Sequence, residues 1–262
     1  MRVAPPLRGA KTDSTEGRTH KRAALRLSVA ALAGACSLVS PGIALASSNL
    51  VSAHQAASYN ITTKFAVAQA AMPIYRQPNT HSGVVNKLVY YTPDGEALQT
   101  YEFVASKRVN GTTWQEIDVP MRPNGQVGWV KSSWLDTPQV SHKLIIVDIA
   151  TETLTVYDHG KVVFTAPVGT GDSSVGWGTP IGHFWVAEAF PSRNPFYGPW
   201  AFGTTDRASD TEFPDGSIVG IHGTDQPQLI PGDPSHGCIR LKDEDILKLK
   251  ALVSIGDPVW IQ

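Results

Sequence analysis

Seven residues, Ser235-His236-Gly237-Cys238-Ile239-Arg240-Leu241, carry the densest chemistry in this chain. A free thiol ionises near pH ~8.5, so little of it is nucleophilic thiolate at neutral pH unless a base assists. Two histidines are close enough in sequence to serve. His236 stands two positions before Cys238, and in an extended segment the two side chains share a face. His222 ends the run Ile218-Val219-Gly220-Ile221-His222, 16 residues upstream of the cysteine. Alternation alone does not choose between them. Gly237 lets the chain bend so that consecutive N–H groups converge on one point, the arrangement that holds the oxyanion of an attacked carbonyl. Gly223 has no side chain with which to orient the His222 imidazole, which leaves a main-chain carbonyl or a hydroxyl such as Ser235 or Thr224 for that task. Arg240 is a fixed cation suited to a substrate carboxylate, or to an ion pair with Asp243 or Asp245. The set suits nucleophilic acyl transfer. A zinc site on His222, His236 and Cys238 is the competing chemistry, but no further Cys/His pair stands at metal spacing.

The elements that must position these groups are mainly β. Lys143–Ile149, Thr153–Asp158 and Lys161–Gly169 read as strands, the last two joined at Asp158-His159-Gly160. Thr179–Ala189, Gly216–Thr224 and the closing Pro258–Gln262 read as three more. One helix fits, Lys242–Val253, directly after the cysteine motif. Asp243 can cap it, acids crowd its first turn, and Ile246, Leu249, Leu252 and Val253 share a face. Between Phe190 and Gly216 lies an insertion too long for an ordinary connection, carrying Phe196, Tyr197, Trp200 and Phe202. It is expected to hold a strand near Trp200–Thr204 and otherwise to cover a cleft, with Tyr197 and Trp200 meeting substrate.

Residues 65–137 have a different texture. Short segments rich in β-branched and aromatic residues (Pro73–Pro78, Asn86–Tyr91, Tyr101–Ser106, Thr113–Val119, Val127–Leu135) alternate with turn signals at Pro93, Val109 and Pro123. Such spacing indicates a small barrel, and the pattern resembles bacterial SH3-like domains of exported wall proteins. Its role is that of a structural spacer or a wall-binding module. Residues 47–64 read as a linker.

Residues 1–46 read as an export signal: seven basic residues, an apolar run from Leu27 to Val39, and a small-residue site at Ala44-Leu45-Ala46. The run is shorter than the ~20 residues of a membrane span, so the processed protein is expected at the cell wall or outside the cell, without stable membrane insertion. An uncleaved signal, or lipidation of Cys36, would instead make a tether. Processing leaves 15 basic and 21 acidic residues, a net charge of about −6. That balance, without a basic cluster, argues against nucleic-acid binding. It also leaves Cys238 as the sole thiol, so no internal disulfide forms.

With Thr179-Pro180-Ile181-Gly182-His183-Phe184 upstream, Ile221-His222-Gly223-Thr224 and Pro234 to Leu241 resemble the L,D-transpeptidase catalytic domain of bacterial cell-wall enzymes over residues 143–262. The resemblance implies a β-rich catalytic fold, Cys238 as nucleophile, His222 as acid/base and the Gly223 carbonyl as its orienting partner. It further implies an oxyanion hole of main-chain N–H groups around His236, Gly237 and Cys238, with Ser235, His236, Gly237 and Arg240 shaping the substrate site. The implied reaction joins peptidoglycan stem peptides by 3→3 crosslinks through a cysteine acyl-enzyme, with loss of D-alanine. Water as acceptor would give an L,D-carboxypeptidase, and an inactive homologue would be a wall-binding protein. Carbapenem β-lactams are implied as covalent inhibitors, and no cofactor or metal is required.

Overall fold

The structure is a computed structural model and describes residues 59–93, 95, 97–208 and 218–262. The export signal, Cys36 and most of the linker lie outside the described residues. The described residues fall within one compact unit, built on two sheets with separate cores.

The first sheet contains β1 (Thr63–Val67), β2 (Pro73–Tyr75), β3 (Val84–Lys87), β4 (Thr100–Val109), β5 (Thr112–Val119), β6 (Gln126–Lys131) and β7 (Gln139–Ser141), ordered β3-β2-β6-β5-β4-β1-β7. The β4–β5 hairpin turns on Asn110 and Gly111, both at positive φ, as a two-residue loop between twisted strands requires. Side chains alternate along β5, so that Ile117 and Val119 join Ile74, Leu88, Tyr101 and Val130 in the core, while Trp114, on the opposite parity, is buried against Tyr75 and Trp134. Strand β1 starts inside the stretch read as linker. Its Phe65 and Ala66 are buried, and it is held between β4 and β7, long-range pairings that no local signal announces.

The second sheet contains β8 (Lys143–Asp148), β9 (Thr153–Asp158), β10 (Lys161–Pro167), β11 (Gly169–Gly171), β12 (Gly182–Phe190), β13 (Ala201–Arg207), β14 (Ile218–His222), β15 (Gly232–Ser235), β16 (Ile239–Arg240) and β17 (Pro258–Ile261). Their order is β10-β9-β8-β17-β12-β13-β14-β16-β11-β15, with parallel pairs at β8–β17, β14–β16 and β11–β15. Helix α1 (Asp243–Lys250) buries Ile246 and Leu249 against this sheet's core. Its cap is Lys242 rather than the expected Asp243. The Asp243 carboxylate instead accepts a hydrogen bond from the Thr224 N–H at 3.0 Å, a partner 19 residues away that local capping logic does not see.

The sheets are joined by polar contacts as well as by the chain. Trp185 Nε1 donates to Thr100 Oγ1 at 2.9 Å, and Ser141 Oγ donates to Asp257 Oδ1 at 2.6 Å, both buried. The loop after β5 reaches the end of β13. Arg122 donates to the Ala208 carbonyl, while Asn124 donates to Asp206 Oδ1 (2.6 Å) and the Arg207 carbonyl and accepts from the Arg207 N–H. Asp206 is fully buried, and that burial pushes its carboxyl up to about 7 against the lowering effect of Asn124. Asn124→Ala is therefore expected to lower stability by about 2 kcal/mol, read as a shift of the urea midpoint at unchanged slope.

Candidate active site

Strand β14 delivers the histidine. Successive strand side chains alternate, so Gly220 and His222 present one face while Val219 and Ile221 enter the core. His222 is 1% exposed, and its Nδ1 lies 2.6 Å from the Gly223 carbonyl oxygen. A carbonyl only accepts, so Nδ1 carries the proton and Nε2 is the acceptor. Nε2 is buried and has no hydrogen-bond partner among the described residues. Burial, foremost, and the nearby Arg240 charge push the imidazole down to about 4, against the Gly223 carbonyl, which favours the charged form. The ring is therefore a neutral proton acceptor at physiological pH.

Gly223 holds its carbonyl in place because nothing larger fits. A Cβ there would stand 2.5 Å from Asp243 Oδ1 and 2.9 Å from Gly198 Cα. The same Asp243 oxygen binds the Thr224 N–H, so α1 fixes the segment that orients the imidazole. The Leu241 N–H donates to the His222 carbonyl at 2.8 Å, tying the exit of β16 to the end of β14.

The turn between β15 and β16 delivers the cysteine. Ser235 Oγ donates to the Cys238 carbonyl at 2.6 Å and accepts from the Gly237 N–H at 3.1 Å. Gly237 sits at φ +121°, a conformation that side chains oppose. Thr179 Oγ1 donates to the Gly237 carbonyl and accepts from the Gly171 N–H, both at 2.9 Å. These bonds hold Cys238 half-buried at the cavity wall, where Sγ accepts from the Gly220 N–H at 3.4 Å. Sγ and His222 Cδ2 both lie within 4 Å of the place a Cβ on Gly220 would take, so the bare glycine lets sulfur and imidazole share one space.

A cavity of about 190 Å³ opens beside them, lined by Glu188, Phe190, Tyr197, Ala201, Phe202, Gly203, Ile218, Gly220, His222 and Cys238. Tyr197 packs edge-on to His222 at 4.8 Å, from a short turn whose Asn194 side chain accepts the Phe196 N–H. Arg240 lies opposite His222 in register, 4% exposed, with its guanidinium 4.5 Å from the Phe196 ring centroid rather than paired with Asp243 or Asp245. Its charge interacts with Cys238, Asp225 and Tyr197, which places a cation where a thiolate would form.

Three of the expected site residues are placed as follows. Ser235 is 2% exposed and engaged by the turn itself, where it braces the nucleophile. The Gly237 N–H, expected among the oxyanion donors, is taken by Ser235 Oγ. Trp200 does not line the cavity; its ring packs on Phe202 and beneath Lys250, on the core side of β13. His236 is exposed and packs against Trp177 at 3.9 Å, while His222 is the histidine beside the thiol. Gly220, Thr179 and Asp243 are positioning residues that the motif did not single out. Gly220 and Thr179 lie within two stretches singled out as strands or motif, and the register between strands gives them their roles.

The YkuD family model, described as an L,D-transpeptidase catalytic domain, matches residues 142–261. YkuD of Bacillus subtilis (strain 168), named as an L,D-transpeptidase, is 33% identical over 117 residues, which span 45% of this chain and 64% of that protein. The catalytic domain of the E. faecium L,D-transpeptidase aligns with a TM-score of 0.37 and 23% identity over 46% of this chain and 96% of that one. An LD transpeptidase in complex with imipenem aligns with a TM-score of 0.36 and 18% identity over 76% of this chain and 82% of that one. The residues that match the YkuD family model, 142–261, contain both Cys238 and His222, and the chain spans about two thirds of the length of the curated relative it matches, 64%.

Proposed function

We propose that this protein is a peptidoglycan L,D-transpeptidase acting outside the cytoplasm through a Cys238 acyl-enzyme. One observation carries the reading: His222 is held as the neutral tautomer with Nε2 as acceptor, beside a thiol exposed to the cavity. Nε2 takes the thiol proton as sulfur attacks the carbonyl of the third residue of a tetrapeptide stem. The S–C bond forms, the C–N bond to D-alanine breaks, and the imidazolium returns its proton to the leaving amine. An amine of a second stem then loses a proton to Nε2 and attacks the thioester, giving a 3→3 crosslink and restoring the thiol. Arg240 offsets the negative charge that develops at sulfur.

A strained β-lactam carbonyl should react with the same thiol. Intact-mass spectrometry after mixing with imipenem is expected to find one adduct on the full chain and none on Cys238→Ala. An unmodified wild-type protein would overturn the reading.

A further inference from the structure

A single peptide group lies between the His222 imidazole and a carboxylate. The Gly223 carbonyl accepts from His222 Nδ1 at 2.6 Å, and the N–H of the same peptide, that of Thr224, donates to Asp243 Oδ1 at 3.0 Å. Ring, amide and carboxylate thus form one row of hydrogen bonds, each donating in the same direction. The carboxylate oxygen sits between two glycines, Gly198 and Gly223, where a Cβ on either would collide with it. Gly198 follows the turn that carries Tyr197 onto the His222 ring, so the turn, the end of β14 and the start of α1 close around that one oxygen. The other acids of the first turn of α1 are Glu244 and Asp245, and Asp245 is paired with Lys248.

The proton transfer at Nε2 gives this row a task. As Nε2 takes the thiol proton, positive charge spreads over the ring, and Arg240, opposite His222 on β16, opposes that change. A carbonyl by itself is a neutral acceptor. When the N–H of its own amide is held by a carboxylate the amide is polarised, and hydrogen bonds in such rows strengthen one another by ~10–30% each. The carboxylate charge lies on the order of 8 Å from Nδ1 along the row, close enough to attract an imidazolium directly. No proton passes along the row: Nδ1 and the Thr224 nitrogen keep theirs, and Nε2 alone gains and returns the thiol proton.

We propose that Asp243 is the remote carboxylate of the base, a positioning residue that holds His222 in its reactive tautomer and strengthens Nε2 through the Gly223–Thr224 peptide. The proposal rests on the acyl-transfer reading and adds to it a residue outside the cavity. Asp243 is an exposed residue, so solvent screens part of its charge and its loss costs less than the loss of the base itself.

The test uses the full chain and two readouts. The second-order rate of imipenem labelling is compared in wild type, in Asp243→Asn, which keeps an acceptor oxygen but removes the charge, and in Glu244→Gln, which removes one charge from the same helical turn outside the row. Asp243→Asn is expected to slow labelling by about 3- to 30-fold, the range for one charge at that distance between a solvated and a surface-like dielectric. Glu244→Gln is expected to match wild type. In parallel, NMR follows the Nδ1–H proton of His222, assigned by its loss in His222→Gln. A stronger hydrogen bond moves such a proton downfield, so Asp243→Asn shifts it upfield and Glu244→Gln leaves it in place, which a change in helix stability alone would not do. Labelling of Asp243→Asn at the wild-type rate, equal slowing in Glu244→Gln, or an unmoved Nδ1–H proton overturns the proposal. Should Asp243→Asn fail to fold, Asp243→Ser takes its place with the same expectations. Unlabelled wild type removes the acyl-transfer reading, and the NMR comparison then decides the role of Asp243 by itself.

Discussion

Replacing His222 with glutamine is expected to lower kcat/KM for acyl transfer by ~10²- to 10⁴-fold, the usual range for loss of a general base. Glutamine keeps polar atoms near the Gly223 carbonyl but has no basic nitrogen where Nε2 stands. The pH dependence gives a second signature. Because burial holds the imidazole near 4, wild type should keep its proton acceptor well below pH 6.5, and the acid limb of imipenem labelling should fall toward pH 4. A limb near 6.5 would contradict the buried neutral ring. Stability shares the same origin. An unfolded histidine binds its proton near pH ~6.5, so between there and 4 the unfolded chain carries the extra proton. The contribution of His222 is thus full above that window and lost as pH falls through it, a change of up to about 3 kcal/mol. In His222→Gln this part of the acid destabilisation should vanish.

Gly171→Ala should be the most damaging glycine substitution near the site. Its Cβ would stand 2.1 Å from the Trp177 carbonyl oxygen, 2.7 Å from the Thr179 nitrogen and 2.8 Å from Gly237 Cα, all of them backbone atoms. No side chain can swing aside to make room, so β11, the 177–179 segment or the nucleophile turn must move. The Gly171 N–H···Thr179 Oγ1···Gly237 chain of hydrogen bonds would break with that movement. Loss of about 3 kcal/mol, the upper end for overpacking, is expected in urea unfolding, together with slower imipenem labelling of Cys238. Gly176→Ala is the control: its Cβ meets nothing within 4 Å, and only its positive φ, +87°, is strained. It should lose about 1 kcal/mol and keep its labelling rate. Equal stability of Gly171→Ala and wild type would refute the close packing of these three segments.

The contrast between these glycines marks what could be read without coordinates. The hairpin at Asn110-Gly111, the strand at Ile218–His222 and the helix after Leu241 follow from local chemistry, and each stands within a few residues of its expected place. The choice of His222 over His236 as partner of Cys238 came from the resemblance, since alternation alone left both open. Gly203 and Gly220 in the cavity wall, the carboxylate of Glu188 and the bond from Thr224 to Asp243 were not legible, because each depends on which strand lies beside which. Trp200 shows the cost of ranking by residue type. An aromatic in a long insertion invites a ligand role, but β13 turns that ring toward Phe202 and Lys250. Strand β1 was hidden for a related reason: five residues, TKFAV, are too few to carry a period, and only their partners fix them.

The polar contacts between the sheets bear on how such a chain can be cut and recombined. A fragment beginning at residue 142, where the catalytic family match begins, would strip Thr100 from the Trp185 indole, Asn124 from Asp206 and Ser141 from Asp257. In the intact protein each of these groups is buried, so the truncated half would open them, and the surface the first sheet covers, to water. Exchange of the first sheet for a foreign module would succeed only if the newcomer supplied a hydroxyl, an amide and a second hydroxyl at matching positions. The family match begins at residue 142, but the hydrogen bonds that cross that point tie the two sheets together.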